Sequence, residues 1–137
     1  MTGSDSIELA IPRRAEYVAV ARLSVAAIAG RLRFSIEDVE DVKLAVAEAC
    51  TGAIARGSQL GGRIELLFEG GDEALHVRVV AFAPLSDLQE LRGDHGQGPR
   101  IGALGSYLIR ALMDEVRYEK GSHGALDLIM SKRQQFV

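Results

Sequence analysis

The run from Ser35 to Gly57, SIEDVEDVKLAVAEACTGAIARG, constrains this chain more than any other stretch. Ser35 is a good helix N-cap and Asp38 stands three residues on, in the capping-box position. Glu37, Asp38, Glu40 and Asp41 load the first turns with negative charge, which the positive end of a helix favours. Val39, Val42, Val46, Ala49 and Ala53 then recur at helical spacing as a stripe to be buried, and Gly57 closes the run. Between the basic ends Lys43 and Arg56 stands one charge, Glu48, among small and apolar residues. A lone helical glutamate is usually an exposed carboxylate. Beside Ala47, Ala49 and Cys50, a place in a cleft weighs equally. One turn further on the same face sits Gly52, where glycine costs a helix about 1 kcal/mol relative to alanine. A candidate active residue therefore stands beside an apparent gap.

The other elements arrange themselves around this helix. Ser6 to Ile11 alternates apolar and polar and reads as a strand stopped by Pro12. Arg14 to Arg33 changes to helical period, with Tyr17, Val20, Ala21, Ser24, Ala27 and Ile28 as its expected inner face. Arg63 to Glu69 and Ala74 to Phe82 read as strands joined by Gly70-Gly71-Asp72-Glu73. Leu85 to Arg100 is a long irregular segment, of a length that is usually functional or disordered. Leu104 to Met113 is helical, with Leu104, Leu108, Ala111 and Leu112 expected inward. Glu115 to Lys120 and Ala125 to Lys132 form a last strand pair around G-S-H-G. Hairpins separated by helices predict an α+β domain, a two-layer α/β sandwich. Its one sheet would be mixed and mainly antiparallel, with every helix on one face. At 137 residues the whole chain, 1–137, reads as a single domain with a core that needs no staples.

Several function classes are set aside by simple features. A net charge of -3 gives no reason to expect nucleic acid. One cysteine, Cys50, excludes an internal disulfide framework and fits a reducing compartment. The opening MTGSDSIELAIPRR lacks the charged and apolar regions of a signal peptide, and no apolar run reaches the ~18 residues of a membrane span. A soluble cytoplasmic protein without a membrane partner is expected. His76, His95 and His123 fall on a strand, a loop and a turn without ligand spacing, so no metal site is expected from them. Cys50 reads as a small core residue. Arg13, Arg14, Arg22, Arg31 and Arg33 read as a solvated face, with a charged protein interface as the alternative.

Taken together, Glu40–Ile54 (EDVKLAVAEACTGAI), the glycine-bearing loop and Ile101–Val116 (IGALGSYLIRALMDEV) resemble the anti-sigma-factor serine kinases of the RsbW type. These are small members of the GHKL superfamily, whose histidine-kinase-like ATPase (Bergerat) fold is shared with histidine kinases and a heat-shock chaperone. The resemblance runs from the first strand to Lys132 and implies three motifs around ATP and Mg²⁺. In the first, E-A-x-T-N-A, Glu48 matches the general base and Thr51 the threonine, but Gly52 replaces the Mg²⁺-binding asparagine. Mg²⁺ is a hard cation that needs an oxygen ligand, and glycine has no side-chain oxygen to offer. In the second, the adenine-binding aspartate and following glycine align with Ala81 and Ala83, neither of which accepts a side-chain hydrogen bond. The third, G-x-L-G, is kept as Gly102, Leu104 and Gly105 at a helix start suited to phosphate. Arg100 would reach a phosphate from the lid position, and Asp127 aligns with a threonine beside adenine.

What the resemblance implies is a regulatory binding protein. Its partners would be a sigma factor, an anti-sigma antagonist, or both, with homodimerisation as a family habit. ATP and Mg²⁺ binding is expected weak or lost, and kinase activity with it. The alternative is an active protein serine kinase using Glu48 with rearranged metal ligands. A third class, a small-molecule sensor in a remodelled pocket, has no positive signal.

Overall fold

In a computed structural model of the chain, residues 5–57, 59–92 and 104–135 are described. Strand β1 (Asp5–Pro12) leads through a 3-10 turn at Ala15–Tyr17 into α1 (Val18–Ala29) and α2 (Ile36–Ala55). Strands β2 (Arg63–Gly70) and β3 (Ala74–Ala83) follow, then a 3-10 turn at Leu85–Asp87 and the short α3 (Leu88–Arg92). Helix α4 (Leu104–Leu112) and the pair β4 (Glu115–Lys120) and β5 (Leu126–Arg133) complete the described chain.

The five strands form one sheet in the order β1-β2-β3-β5-β4. Among the described residues each ladder is antiparallel, where the sequence predicts a mixed, mainly antiparallel sheet. Two hairpins account for β2–β3 and β4–β5, whereas β1 reaches β2 only by way of α1 and α2. Ile64, Leu66 and Phe68 of β2, Leu75, Val77 and Val79 of β3, and Leu126, Leu128 and Met130 of β5 share one core with Val25, Ile28, Val42, Val46 and Ala49 of the helices. The alternate residues, among them Glu69, His76, Arg78 and Arg117, line the opposite face of the sheet. The two-layer sandwich follows from this strict alternation.

Helix α2 forms as its sequence predicts. The Ser35 hydroxyl accepts from the Asp38 N–H, and Val42, Ala45, Val46, Ala49, Cys50 and Ala53 are buried. Gly57 takes a φ of +74° just past its end, a conformation glycine adopts without a Cβ penalty.

The two flanking helices differ from expectation. On α1 the buried residues are Ala21, Val25, Ile28 and Ala29, while Tyr17, Val20 and Ala27 are exposed. Apolar residues surround most of α1, so spacing alone does not single out the face that docks. On α4 it is Ile109 and Met113 just past its end that are buried, whereas Leu108 and Ala111 face outward and Leu112 is half-buried. The side chain of Leu104 lies outside the described residues. The Ser106 hydroxyl, bonded to the Tyr118 hydroxyl at 2.7 Å, ties this helix to β4. The segment expected to be irregular from Leu85 begins instead with the 3-10 turn and α3, anchored by the buried Leu91.

Candidate functional site

Glu48 lies half-buried in the second half of α2, which packs against α4. A β-carbon placed on Gly105 would stand 3.3 Å from Glu48 Oε1. The missing side chain at Gly105 therefore makes room for the carboxylate at the first turn of α4. A negative group is favoured there by the unsatisfied N–H groups of a helix start. The fold thus brings Glu48 and Gly105 together. Arg100 and Gly102 lie outside the described residues.

One turn along α2, the apparent gap is filled. A β-carbon on Gly52 would stand 3.2 Å from Cζ of Phe82 and 3.3 Å from its Cε1. The Phe82 ring, 2% exposed, lies against the helix backbone where a longer side chain at position 52 would project. Tyr118 packs on it with ring centroids 6.0 Å apart and planes tilted 35°. The Arg56 guanidinium stands 5.6 Å from the ring centroid, within cation–π range. Arg56 also holds Asp87 at 3.0 Å, and both side chains are largely shielded from water.

An irregularity in β3 delivers Phe82 to this place. Val79 pairs with Leu128 and Ala83 with Leu126, so β3 spends two more residues than β5 over the same span. Ala81 takes a φ of +50°, the positive φ found at no other non-glycine among the described residues. For an L-residue the left-handed region costs about 1–2 kcal/mol. The Ala81 N–H donates to Asp127 Oδ1 at 2.8 Å, and Arg78 donates to Asp127 Oδ2 at 2.7 Å. Asp127 is 4% exposed, a buried carboxylate with both oxygens engaged.

The carboxylate of Asp127 thus lies on the N–H of Ala81, the residue aligned with the adenine-binding aspartate, while its own strand position faces away from the core. Leu126 and Leu128 are the core-facing residues of β5, so Asp127 between them points to the other side of the sheet, where it meets Arg78. A shift of one residue reverses the face in a strand. The sequence does carry a signal for its true role. A charge inside the run A-L-D-L-I-M needs a buried partner.

Two ionisable groups are displaced from their ordinary range. Burial pushes the Cys50 thiol up to about 12, which keeps it protonated and unreactive in the core. The hydrogen bond from Arg117 lowers the carboxyl of Glu119, aided by the charges of Arg117 and Arg78. Glu119 is a surface group, and its shift marks an ion-pair network on the sheet rather than catalysis.

The described residues can be tested against Mg²⁺ and ATP held in the manner the resemblance implies. Gly52 presents no oxygen, and a ring stands where one would reach. Ala81 has no side-chain acceptor, and its N–H is committed to Asp127. These positions do not fit that cofactor. Glu48 and Gly105 do lie together.

Residues 11–132 match the family described as the histidine kinase-like ATPase domain. The chain is 34% identical over 126 residues to the serine-protein kinase RsbW of Halalkalibacterium halodurans, covering 86% of this chain and 78% of that protein. It is also 34% identical over 142 residues to the serine-protein kinase RsbW of Oceanobacillus iheyensis, covering 96% and 89%. With the protein of that name from Bacillus subtilis it shares 32% over 139 residues, covering 94% and 86%.

Proposed function

The chain belongs to the histidine kinase-like ATPase family, in its RsbW-type branch, and within it we propose a regulatory protein that acts by binding. It sequesters a sigma factor, or the antagonist that competes for it, with kinase activity weak or absent. The observation that carries this reading is the Phe82 ring packed against Gly52. A side chain that only loses a function leaves a hole. Here a large aromatic has taken the space, and Tyr118 and Arg56 pack around it. Two polar contacts absent at about 1–3 kcal/mol each would lower nucleotide affinity by orders of magnitude.

Without phosphorylation, partner exchange rests on competing affinities, because a ligand shifts an equilibrium only by its differential binding. The outward face of α1 supports a protein partner, since Leu23 is 67% exposed and Val20 41%. The protein works in the cytoplasm, with a second copy of itself as a further partner.

One observation favours the second reading, an active serine kinase. Glu48 is half-buried beside the start of α4, so its carboxylate stands next to the helix that carries the G-x-L-G motif. Calorimetric titration of the purified protein with ATP and Mg²⁺ separates the two. No heat of binding at micromolar concentrations is expected, and micromolar Mg²⁺-dependent binding would end the first reading. A pull-down with radiolabelled ATP extends the test. Phosphate on a serine of the recovered partner, abolished by Glu48→Ala, would establish the kinase.

A further inference from the structure

We propose that Asp127 is the positioning residue that seats Phe82 against Gly52, so that the pocket is filled under the control of a carboxylate on the far side of the sheet. The inference deepens the reading above and rests on it for its functional meaning.

The pleat of β3 supplies the first step. Leu75, Val77 and Val79 point into the core, so His76, Arg78 and Val80 point away. Continued regularly, that alternation would send Ala81 inward and Phe82 outward, onto the face that carries Arg78. Instead Ala81, Phe82 and Ala83 are all buried, and the Phe82 ring meets helix α2. The change of side occurs at the one residue of β3 with a left-handed φ, Ala81.

Alanine has no preference for that conformation, so something outside it must hold it there. The group in place is Asp127, whose Oδ1 accepts the Ala81 N–H. Asp127 is held in turn by Arg78 at 2.7 Å. Gly121, at the β4–β5 turn, leaves the space the carboxylate needs, since a β-carbon there would fall well inside contact distance of it. Arg78, Asp127, Ala81, Phe82 and Gly52 thus form one mechanical sequence through the sheet.

Fluorine NMR of protein carrying 4-fluorophenylalanine, with the Phe82 line assigned through Phe82→Leu, reads the ring's location directly. In the native chain that line should be shielded from a soluble paramagnetic probe. Asp127→Val should shift it and abolish the shielding. Gly121→Ala leaves Asp127 chemically intact but takes its space, and should move the line the same way. Asp127→Asn keeps an acceptor for the Ala81 N–H and should restore the line toward its native position. Circular dichroism identifies which variants fold; should Asp127→Val not fold, Gly121→Ala and Asp127→Asn decide. A Phe82 line that stays put and shielded in the folded variants that displace or remove the carboxylate overturns the proposal. Nucleotide titration of the unmodified protein is run alongside. Micromolar ATP binding there would overturn the proposed function, while the fluorine result still judges Asp127.

Discussion

One helix, α2, builds two contacts of different kinds at the candidate site. Where α2 meets α4, the Glu48 carboxylate lies against Gly105, where a β-carbon would stand 3.3 Å from its Oε1. Where α2 meets the end of β3, Gly52 is capped by Phe82, and the ring is flanked by Tyr118 and by Arg56, which is itself paired with Asp87. Both contacts use a glycine, but in opposite senses. Gly105 leaves room for the Glu48 carboxylate, whereas Gly52 leaves room for a core ring.

Phe82→Ala tests this contrast hardest. If the ring is core, its removal should cost about 3–5 kcal/mol of stability, less whatever the cluster recovers by collapsing. Urea denaturation measures this, and a loss below about 1 kcal/mol would show that the ring is not part of the packing.

Gly52→Ala sharpens the same point. Helix propensity alone would stabilise by about 1 kcal/mol. Overpacking against the ring should outweigh that, at about 1–3 kcal/mol. In a Phe82→Ala background the sign should reverse, and the double-mutant cycle reports the coupling. Additive effects would mean that the two residues do not touch.

Cys50 tests the dry wall of α2 between these ends. Its folded pKa is raised to about 12, so the folded state keeps the proton while the unfolded thiol releases it near its ordinary value. The stability this group contributes is complete below that ordinary value and falls as pH rises toward about 12. The fall should reach about 1.4 kcal/mol per pH unit above roughly pH 9. Denaturation at pH 8 and 10, compared with Cys50→Ala, isolates this slope; identical slopes would place the thiol in water.

Gly105→Ala should matter least to stability. The added β-carbon meets the flexible end of Glu48 at 3.3 Å and its backbone carbonyl at an ordinary 3.8 Å, and helix propensity gained offsets those contacts within about 1 kcal/mol. A thermal melt checks it. A large destabilisation would show that Glu48 is rigidly held rather than accommodated.

Much of this architecture was legible along the chain because periodicity and capping are local. Ser35, the α2 stripe and the β2–β3 and β4–β5 hairpins lie where spacing and turn residues predict. The inner faces of α1 and α4 did not follow spacing. Their rotation is decided by docking against α2 and the sheet, and by ties such as Ser106 to Tyr118. At the site, Glu48 was readable as a lone charge among small residues. Phe82 was not readable as the plug. The regular period of β3 places it on the wrong face, and nothing in A-F-A-P announces a left-handed alanine.

By itself the sequence determined the α+β class, the helix that carries Glu48, and the absence of side-chain oxygens at Gly52, Ala81 and Ala83. These depend on residue identity and on neighbours a few positions away. Only the tertiary structure decided what fills that absence. Asp127 reaches Ala81 across 46 residues of chain, and Phe82 meets Gly52 only after β3 has been bent. A strand's side chains change face with a single residue of slippage, so one long-range hydrogen bond can determine what the local pattern leaves open.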